Sequence, residues 1–364
     1  MIDSFLYQQP VKIRFGNGMI SQLDDVLNEI EAEKCVLVSS KSFSEKCNKL
    51  MEENEKIKAV YSSVHPNPLL SDCEKIVELI KANGADTVIA LGGGSSIDAS
   101  KFAAACAYSE ISPKEHYLSP AFPGKTAKIV AVPTTSGTGS EVTKVAVISH
   151  ENEKKSIHNP AFMPDICIVY PELTLTVPPK STMITGIDAF THAIEAYWSV
   201  NHQPLTDLFA VESIRLILAN LENAYKTGDI ESRSNMSYAS LLAGLAFSVA
   251  KTAASHACSF SISAYYHLPH GEACAFTLDS LMLLNNSERL ESLSKAVGFE
   301  NTADFAEKIR YFKKIAGLAS KLSDLGENVD IETLAKEGAN HPLMANNPVK
   351  LSEKQLYEMY EALQ

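Results

Sequence analysis

The chain has 364 residues, which is too long for one typical compact core and suits two domains. Apolar residues make up 45% and charged residues 21%, as is typical of a soluble globular protein. The formal net charge is −12 without a block of Lys or Arg, and no apolar run approaches the roughly 20 residues that span a bilayer. We therefore expect neither nucleic acid nor a membrane as a partner.

The first half of the chain alternates short apolar runs with amphipathic stretches. The predicted strands are 35–39, 59–62, 87–91 and 128–132, and the predicted helices are 43–54, 70–83 and 95–108. Strands and helices that alternate in this way predict a mostly parallel sheet covered on both faces.

The second half is different, because strand-like runs almost disappear after the pair Pro178-Pro179. Its first predicted helices are 182–199, 204–221, 231–250 and 251–266. A pair of prolines interrupts regular structure and marks a natural boundary. The sequence therefore predicts an α/β domain over 1–179 and an all-α domain over 180–364.

A glycine-rich loop, Gly92 to Asp98, lies between the predicted strand 87–91 and the predicted helix 95–108. Glycines let a backbone approach a pyrophosphate closely, and the N–H groups of a helix N-terminus attract phosphate. A tight turn is the alternative interpretation. The first predicted strand is followed by Ser40-Lys41-Ser42 and by no acidic residue, so the arrangement is not the usual dinucleotide fingerprint.

A second loop rich in hydroxyls and glycines, Pro133 to Glu141, follows the predicted strand 128–132. Open α/β sheets bind ligands at the carboxyl ends of their strands. This position favours a loop that lines a cofactor over one that only satisfies its own backbone.

Four residues of the second half form a candidate metal site. Asp188 and His192 are four apart and share one face of a helix, and His256 and His270 lie in the following helical region. One carboxylate and three imidazoles suit Fe²⁺ or Zn²⁺. Each residue alone is more simply a packed or surface side chain, but burying all four in apolar segments without a partner would be costly.

Several motifs together resemble one known family. They are Phe15-Gly16-Asn17-Gly18, His65-Pro66-Asn67-Pro68, Gly92 to Asp98, Pro133 to Glu141, Asp188 to Tyr197, and His256 to Glu272. With them, almost the whole chain resembles the iron-containing, or group III, alcohol dehydrogenases. The resemblance implies a nucleotide-binding α/β domain, a helical domain and a site in the cleft between them.

The resemblance also implies roles for individual residues. Metal binding is carried over to Asp188, His192, His256 and His270. Nucleotide binding is carried over to Gly93, Gly94, Ser95, Asp98, Thr134, Thr135, Thr138 and Lys154, with Lys155 as an alternative to Lys154.

Three positions depart from the family pattern. Ser40 stands where many members have an Asp that favours NAD over NADP, Phe260 stands where many have a further His, and Tyr170 replaces the Asp of an Asp-Pro-Glu-Leu motif. With Ser40 at this position and Lys41 beside it, we expect NADPH to be accepted at least as well as NADH. Phe260 indicates an unusual substrate pocket.

Two segments, Lys251 to His256 and Tyr197 to Asn201, resemble the branch that reduces phosphonoacetaldehyde to 2-hydroxyethylphosphonate. The ammonium group of Lys251 beside the hydroxyls of Thr252 and Ser255 suits an anionic head group. A solvated lysine at the start of a helix is the alternative.

The predicted function is hydride transfer between NAD(P)H and a short aldehyde or primary alcohol, with the metal as a Lewis acid. His267 is a candidate proton relay, with a place on the pocket wall or surface as the alternative. The rival functions are a general dehydrogenase of neutral alcohols or diols, a lyase or polyol enzyme of the same fold, and a non-catalytic nucleotide or metal sensor.

An odd number of cysteines, seven, without a C-x-x-C pair predicts buried reduced thiols. We expect a cytoplasmic homodimer.

Overall fold

The computed structural model describes residues 4–122, 126–151 and 153–364. They form two compact units. The α/β unit comprises the described residues of Gln8–Thr135 and Gly139–Thr176, and the helical unit comprises Val177–Gln364, Ser136–Thr138 and the described residues of Met1–Tyr7. The chain passes between the units for the last time after Thr176, close to the proline pair on which the predicted boundary rests.

The α/β unit contains a six-stranded sheet in the order β1-β8-β5-β4-β2-β3 and a separate hairpin of β6 and β7. Its strands are β1 Lys12–Phe15, β2 Cys35–Ser39, β3 Ile57–Tyr61, β4 Thr87–Gly92, β5 Lys128–Pro133, β6 Val145–His150, β7 Glu153–His158 and β8 Ile166–Val169. All five pairings within the large sheet are parallel, as the sequence predicts. Two expectations are wrong: β2 is the second strand rather than the first, and β3 begins before Ala59.

Five α-helices belong to this unit: α1 Leu23–Glu29, α2 Ser44–Glu53, α3 Leu70–Asn83, α4 Gly94–Cys106 and α5 Pro113–Leu118. Strand side chains alternate between two faces, and so they contribute to two separate cores. Val36 and Val88 pack in one core with residues of α3 and α4, whereas Leu37 and Ile89 pack in the other with residues of α1. The sheet is therefore buried on both sides, which confirms the predicted architecture.

All regular secondary structure from Val177 to Gln364 is helical, in agreement with the prediction. The helices are α6 Pro179–Trp198, α7 Pro204–Lys226, α8 Ile230–Ala250, α9 Ala254–Tyr266, α10 His270–Leu284, α11 Glu288–Ala296, α12 Thr302–Ala316, α13 Ile331–Asn340 and α14 Glu353–Glu361. One large apolar core, which includes Phe190, Phe276 and Phe305, holds them together.

The predicted helix over 251–266 is wrong at its start. The N–H of Lys251 donates to Phe247 O and closes α8, the backbone of Lys251 is left-handed with φ +66°, and α9 begins only at Ala254. The predicted break at Leu268-Pro269 is confirmed, because α9 ends at Tyr266 and α10 begins at His270. This places His256 in the first turn of its helix and His270 at the first position of the next.

Among the described residues, no single helix has both the length and the apolar character needed to cross a bilayer. One bent pair, α8 with α9 at 104°, meets that test by length and composition alone.

Candidate functional site

Helix α6 carries three acidic or imidazole side chains on one face. Asp188, His192 and Glu195 are spaced i, i+4 and i+7, and a helix of 3.6 residues per turn brings such positions nearly into line. All three are buried. The sequence prediction assigns the first two as metal ligands and gives Glu195 no role.

The structure brings the predicted metal ligands Asp188, His256 and His270 into one group and places His192 against His256. His192 Nε2 lies 3.0 Å from His256 Nε2, and His256 Nε2 lies 3.9 Å from Asp188 Oδ1. The rings of His256 and His270 lie 5.4 Å apart, centroid to centroid. Three helices, α6, α9 and α10, therefore supply one compact group of metal-binding side chains.

Glu195 is fully buried, and it caps the N-terminus of α9 from a distance in sequence. One carboxylate oxygen accepts the N–H of Ser255 at 2.6 Å, and the other accepts the N–H of Ala253 at 3.0 Å. The second oxygen also accepts the Nδ1–H of His256 at 2.5 Å. The positive end of the helix dipole favours this buried charge, and the charge fixes the orientation of the His256 ring.

The tautomers of the two facing histidines follow from their partners. A carbonyl oxygen can only accept, so His192 Nδ1, 3.3 Å from Gly137 O, must carry a hydrogen, and the Glu195 carboxylate requires the same of His256 Nδ1. When both rings are neutral, two Nε2 lone pairs face each other at 3.0 Å. Such a pair needs a cation or a proton between its nitrogens. At metal–nitrogen distances of 2.0–2.1 Å, two nitrogens on one tetrahedral ion lie about 3.4 Å apart, so the donor set fits a divalent ion.

Burial and neighbouring charges move the pKa values of these two rings in opposite directions. Burial and the charge of His256 hold the pKa of His192 well below its ordinary value. Burial alone would lower the pKa of His256, but Cys274 and Glu195 outweigh it and raise that pKa well above its ordinary value. The surroundings therefore favour a proton on His256 over one on His192.

Gly271 lets α10 approach α6 beside the site. A Cβ atom at this position would lie 2.3 Å from the carbonyl oxygen of Ile184 and 2.9 Å from Asp188 Cβ. The nearest atoms belong mainly to the backbone of Ile184, which cannot shift without disturbing α6. The absence of a side chain at Gly271 thus sets the separation between Asp188 and His270.

Several of the predicted nucleotide-binding residues lie together at the carboxyl ends of neighbouring strands in the α/β unit. Strands β2, β4 and β5 are parallel neighbours, and their carboxyl ends lead into Ser40, into Gly93-Gly94-Ser95 and into Thr134-Thr135. The N–H of Thr134 donates to Gly92 O at 3.0 Å, and a Cβ at Gly93 would lie 3.3 Å from Thr135 Oγ1. The two glycine-bearing loops therefore pack against each other.

Asp98 and Lys101, on α4, hold the second loop in place. The Asp98 carboxylate accepts Ser140 Oγ–H at 2.5 Å and the N–H of Val147 at 2.9 Å. The buried Lys101 ammonium donates to the backbone and hydroxyl oxygens of Ser140 and to Thr143 Oγ1, and burial lowers its pKa to about 8. Sequence reasoning missed Lys101, although it follows Asp98 by three positions on the same helix.

The remaining predicted nucleotide residues lie elsewhere. Lys154 is on β7 and donates to Asn67 Oδ1 at 3.0 Å, which links the hairpin to the His-Pro-Asn-Pro motif. Thr138 belongs to the helical unit. The nucleotide-binding roles of all these residues stay predictions.

The two segments that resemble the phosphonoacetaldehyde branch lie next to each other. Ser199 Oγ–H donates to Ala250 O at 2.5 Å, the N–H of Val200 donates to Asn346 O at 3.0 Å, and Asn346 Nδ2 donates to Thr252 O at 2.8 Å. Lys251 is exposed at this junction. Sequence reasoning missed Asn346, which joins both segments from a distant part of the chain.

Two further predicted positions are placed as follows. His267 is exposed, has left-handed backbone with φ +57° and ends α9 three residues before His270. Phe260 lies one turn after His256 on α9, and its ring stacks on that of His341 with centroids 4.6 Å apart. An imidazole from a distant segment thus covers the residue that replaces the family's further histidine.

Comparison with known proteins identifies the class to which this fold and donor set belong. Residues 10–171 match the family model described as iron-containing alcohol dehydrogenase, and residues 182–364 match that of the Fe-containing alcohol dehydrogenase family, C-terminal. These matches, together with the glycine loop and the buried histidine–carboxylate cluster, define a metal-dependent oxidoreductase. The chain belongs to the iron-containing alcohol dehydrogenase family.

Individual relatives agree. Long-chain-alcohol dehydrogenase 1 of Geobacillus thermodenitrificans is 36% identical over 83% of this chain and 81% of its own length. The NADPH-dependent butanol dehydrogenase of Clostridium saccharobutylicum is 34% identical over 94% and 89%. The crystal structure of sulfoacetaldehyde reductase from Bifidobacterium kashiwanohense in complex with NAD⁺ superposes with a TM-score of 0.95 at 35% identity, over 99% of each chain. The predicted fold, the oxidoreductase class and a small alcohol or aldehyde as substrate are confirmed.

Proposed function

We propose that Asp188, His192, His256 and His270 hold a divalent metal ion, Fe²⁺ or Zn²⁺, that serves the reduction of an aldehyde. The observation that carries the proposal is the pair of His192 and His256 Nε2 atoms, which face each other at 3.0 Å while both Nδ1 atoms are committed as donors. The bound ion would act as a Lewis acid towards the carbonyl group of the substrate.

The residues of the chain would prepare this chemistry in two ways. Glu195 keeps the proton of His256 on Nδ1 and leaves Nε2 as a donor to the metal. The loops that carry Gly93, Ser95 and Thr134 are proposed to bind the pyrophosphate of NADH or NADPH, because backbone N–H groups at the start of α4 favour negative charge.

We further propose that the substrate is a short aldehyde with a phosphonate or sulfonate head group. Three observations support this: the resemblance of two segments to a phosphonoacetaldehyde-reducing branch, their junction beside the exposed Lys251, and the likeness to a sulfoacetaldehyde reductase. Because Lys251 precedes α9 rather than lying on it, its direction is not tied to the rotation of that helix. Its ammonium group is the proposed partner of the anion.

The test compares kcat/KM for phosphonoacetaldehyde, sulfoacetaldehyde, propanal and butanal, with Lys251→Met as the variant and Lys336→Met, another exposed lysine, as the matched control. A hydrogen bond to a charged group contributes about 1.5–3 kcal/mol, so Lys251→Met should lose about 10–150-fold with the anionic aldehydes and little with the neutral ones. The two anions are expected to differ from each other, and that ratio identifies the head group. Equal losses on charged and neutral aldehydes would show that Lys251 is structural.

The second candidate is a general dehydrogenase of neutral alcohols or diols. The likeness to the butanol dehydrogenase favours it. A wild-type enzyme that reduces butanal as efficiently as the anionic aldehydes would support this candidate and contradict the anionic substrate.

We also propose a cytoplasmic homodimer. All seven cysteines are free and buried, as befits a reducing compartment, and β1 is a short strand at the edge of the sheet that offers its backbone to a second copy. Light scattering coupled to gel filtration measures the molar mass, and a monomer would contradict the proposal.

A further inference from the structure

Cys274 lies beside the proposed metal centre. It follows His270 by four residues on α10, so the two side chains share one face of the helix, as Asp188 and His192 do on α6. Cys274 is fully buried, and its sulfur lies 3.8 Å from His270 Nε2. Sequence reasoning assigned this residue only a place among the buried thiols.

The position of the Cys274 sulfur also suits a metal ligand. One ligand atom from each of Asp188, His256, His270 and Cys274 lies within 4.8 Å of all the others. Two ligands on opposite sides of one ion are separated by about 4–4.6 Å, and a neighbouring sulfur and nitrogen by about 3.1 Å on a six-coordinate ion or about 3.6 Å on a tetrahedral one. The observed separation of 3.8 Å between the Cys274 sulfur and His270 Nε2 is therefore close to that of two ligands on one ion.

We propose that the Cys274 thiolate is an additional ligand of the ion held by Asp188, His192, His256 and His270, an inference that rests on the proposed metal centre. The thiol proton leaves to solvent when the metal–sulfur bond forms, because the thiolate is the binding species. Five protein ligands leave one position open on a six-coordinate ion, where the substrate can bind. A sulfur donor also shifts the preference of the site towards softer ions than an all-nitrogen-and-oxygen site would take.

A second buried cysteine of the helical unit provides the matched control. Cys258 lies on α9 two residues after His256, but its sulfur faces α13, where a Cβ at Gly338 would lie 3.1 Å from it. Both cysteines are fully buried in the same unit, and only Cys274 belongs to the group of potential ligands. Comparing Cys274→Ser with Cys258→Ser therefore distinguishes the loss of a metal ligand from the loss of a buried thiol.

The experiment loads the full-length protein with Co²⁺, which reports its ligands through its absorption spectrum. We expect a sulfur-to-cobalt charge-transfer band in the near ultraviolet for the wild type and for Cys258→Ser, and no such band for Cys274→Ser or Cys274→Ala. Cobalt should still bind to the Cys274 variants, with an affinity lower by about tenfold or more, since even outer partners of ligands contribute that much. A wild-type spectrum without the band excludes a sulfur ligand whether or not a variant folds, and loss of the band in the Cys274 variants assigns the sulfur to Cys274.

Three results would overturn the proposal, and they are distinguishable. Cobalt bound in a manner that His256→Ala abolishes, but without a charge-transfer band, would leave the metal centre standing and exclude sulfur. No cobalt binding that depends on His256 would overturn the metal centre and the thiolate together. A band that persists in Cys274→Ala would assign the sulfur to another cysteine.

Discussion

Replacing Glu195 by Gln should weaken metal binding, although the substitution leaves every proposed ligand unchanged. The carboxylate accepts three backbone or ring hydrogens at 2.5–3.0 Å, from Ala253, Ser255 and His256, and it is fully buried. An amide has one accepting oxygen, so its NH₂ group must face at least one of these donors. Each hydrogen bond lost to a charged acceptor costs about 1.5–3 kcal/mol.

The loss should appear in two measurements. Stability should fall by about 3 kcal/mol in urea unfolding, because a buried donor is left without its acceptor. Metal affinity, measured at one fixed pH by competition with a chelator, should fall by about 10–100-fold, the usual effect of removing a carboxylate that orients a ligating histidine.

The matched control is Asp279→Asn, which removes another buried carboxylate of the same unit, where it pairs with Lys313 and Arg310. That variant should lose stability and keep its metal affinity. If Glu195→Gln behaves like the control, with lower stability and unchanged metal affinity, then Glu195 only caps α9 and the reasoning about His256 is refuted.

Three further predictions test other parts of the chain. Burial raises the pKa of Glu141 to about 6 from 4.5, so its full contribution to stability is present below pH 4.5 and is lost as the pH rises through 6. Glu141→Gln should therefore gain about 2 kcal/mol relative to the wild type between pH 4 and pH 7 in urea unfolding, and a constant difference would contradict this. Ser40→Asp should move the kcat/KM ratio towards NADH, because a carboxylate at the end of β2 repels a 2′-phosphate; an unchanged ratio would place cofactor choice in another residue. Gly271→Ala should cost about 1–3 kcal/mol and lower the metal content, since its Cβ meets Ile184 O, whereas unchanged stability and metal content would show that α6 and α10 can separate freely.

The elements that the sequence predicts best are those with strong local signals. The bounds of β2, Cys35–Ser39, and of α3, Leu70–Asn83, agree with prediction to the residue. The first is a continuous apolar run of a strand buried on both faces, and the second ends where Gly84 adopts left-handed backbone. By contrast, β1 and β8 have only four residues each, too few for a pattern to emerge, and their pairing is visible only in the folded sheet.

The residues of the candidate site likewise differ in how well a local sequence signal predicts their position. Asp188 and His192 could be paired from their spacing on one helix, a purely local relation. The start of α9 could not be predicted, because its N–H groups are capped by Glu195, which lies about sixty positions earlier in the chain. The nearness of Cys274 to Asp188 likewise depends on how α6 and α10 pack, for which the sequence carries no local signal.

The alignment of Asp188, His192 and Glu195 along one face of α6 has a consequence for how this chain can vary in length. Each residue added to or removed from a helix turns everything beyond it by about 100° and shifts it by about 1.5 Å. A single insertion between Asp188 and Glu195 would therefore send a carboxylate or an imidazole into the apolar core and separate the residues that now act together. Between α10 and α11, where the chain is exposed at Asn286 and Ser287, an added residue disturbs no such alignment. In a library of single-residue insertions across the helical unit, insertions between α10 and α11 should thus retain metal binding. Insertions between Asp188 and Glu195 should lose it.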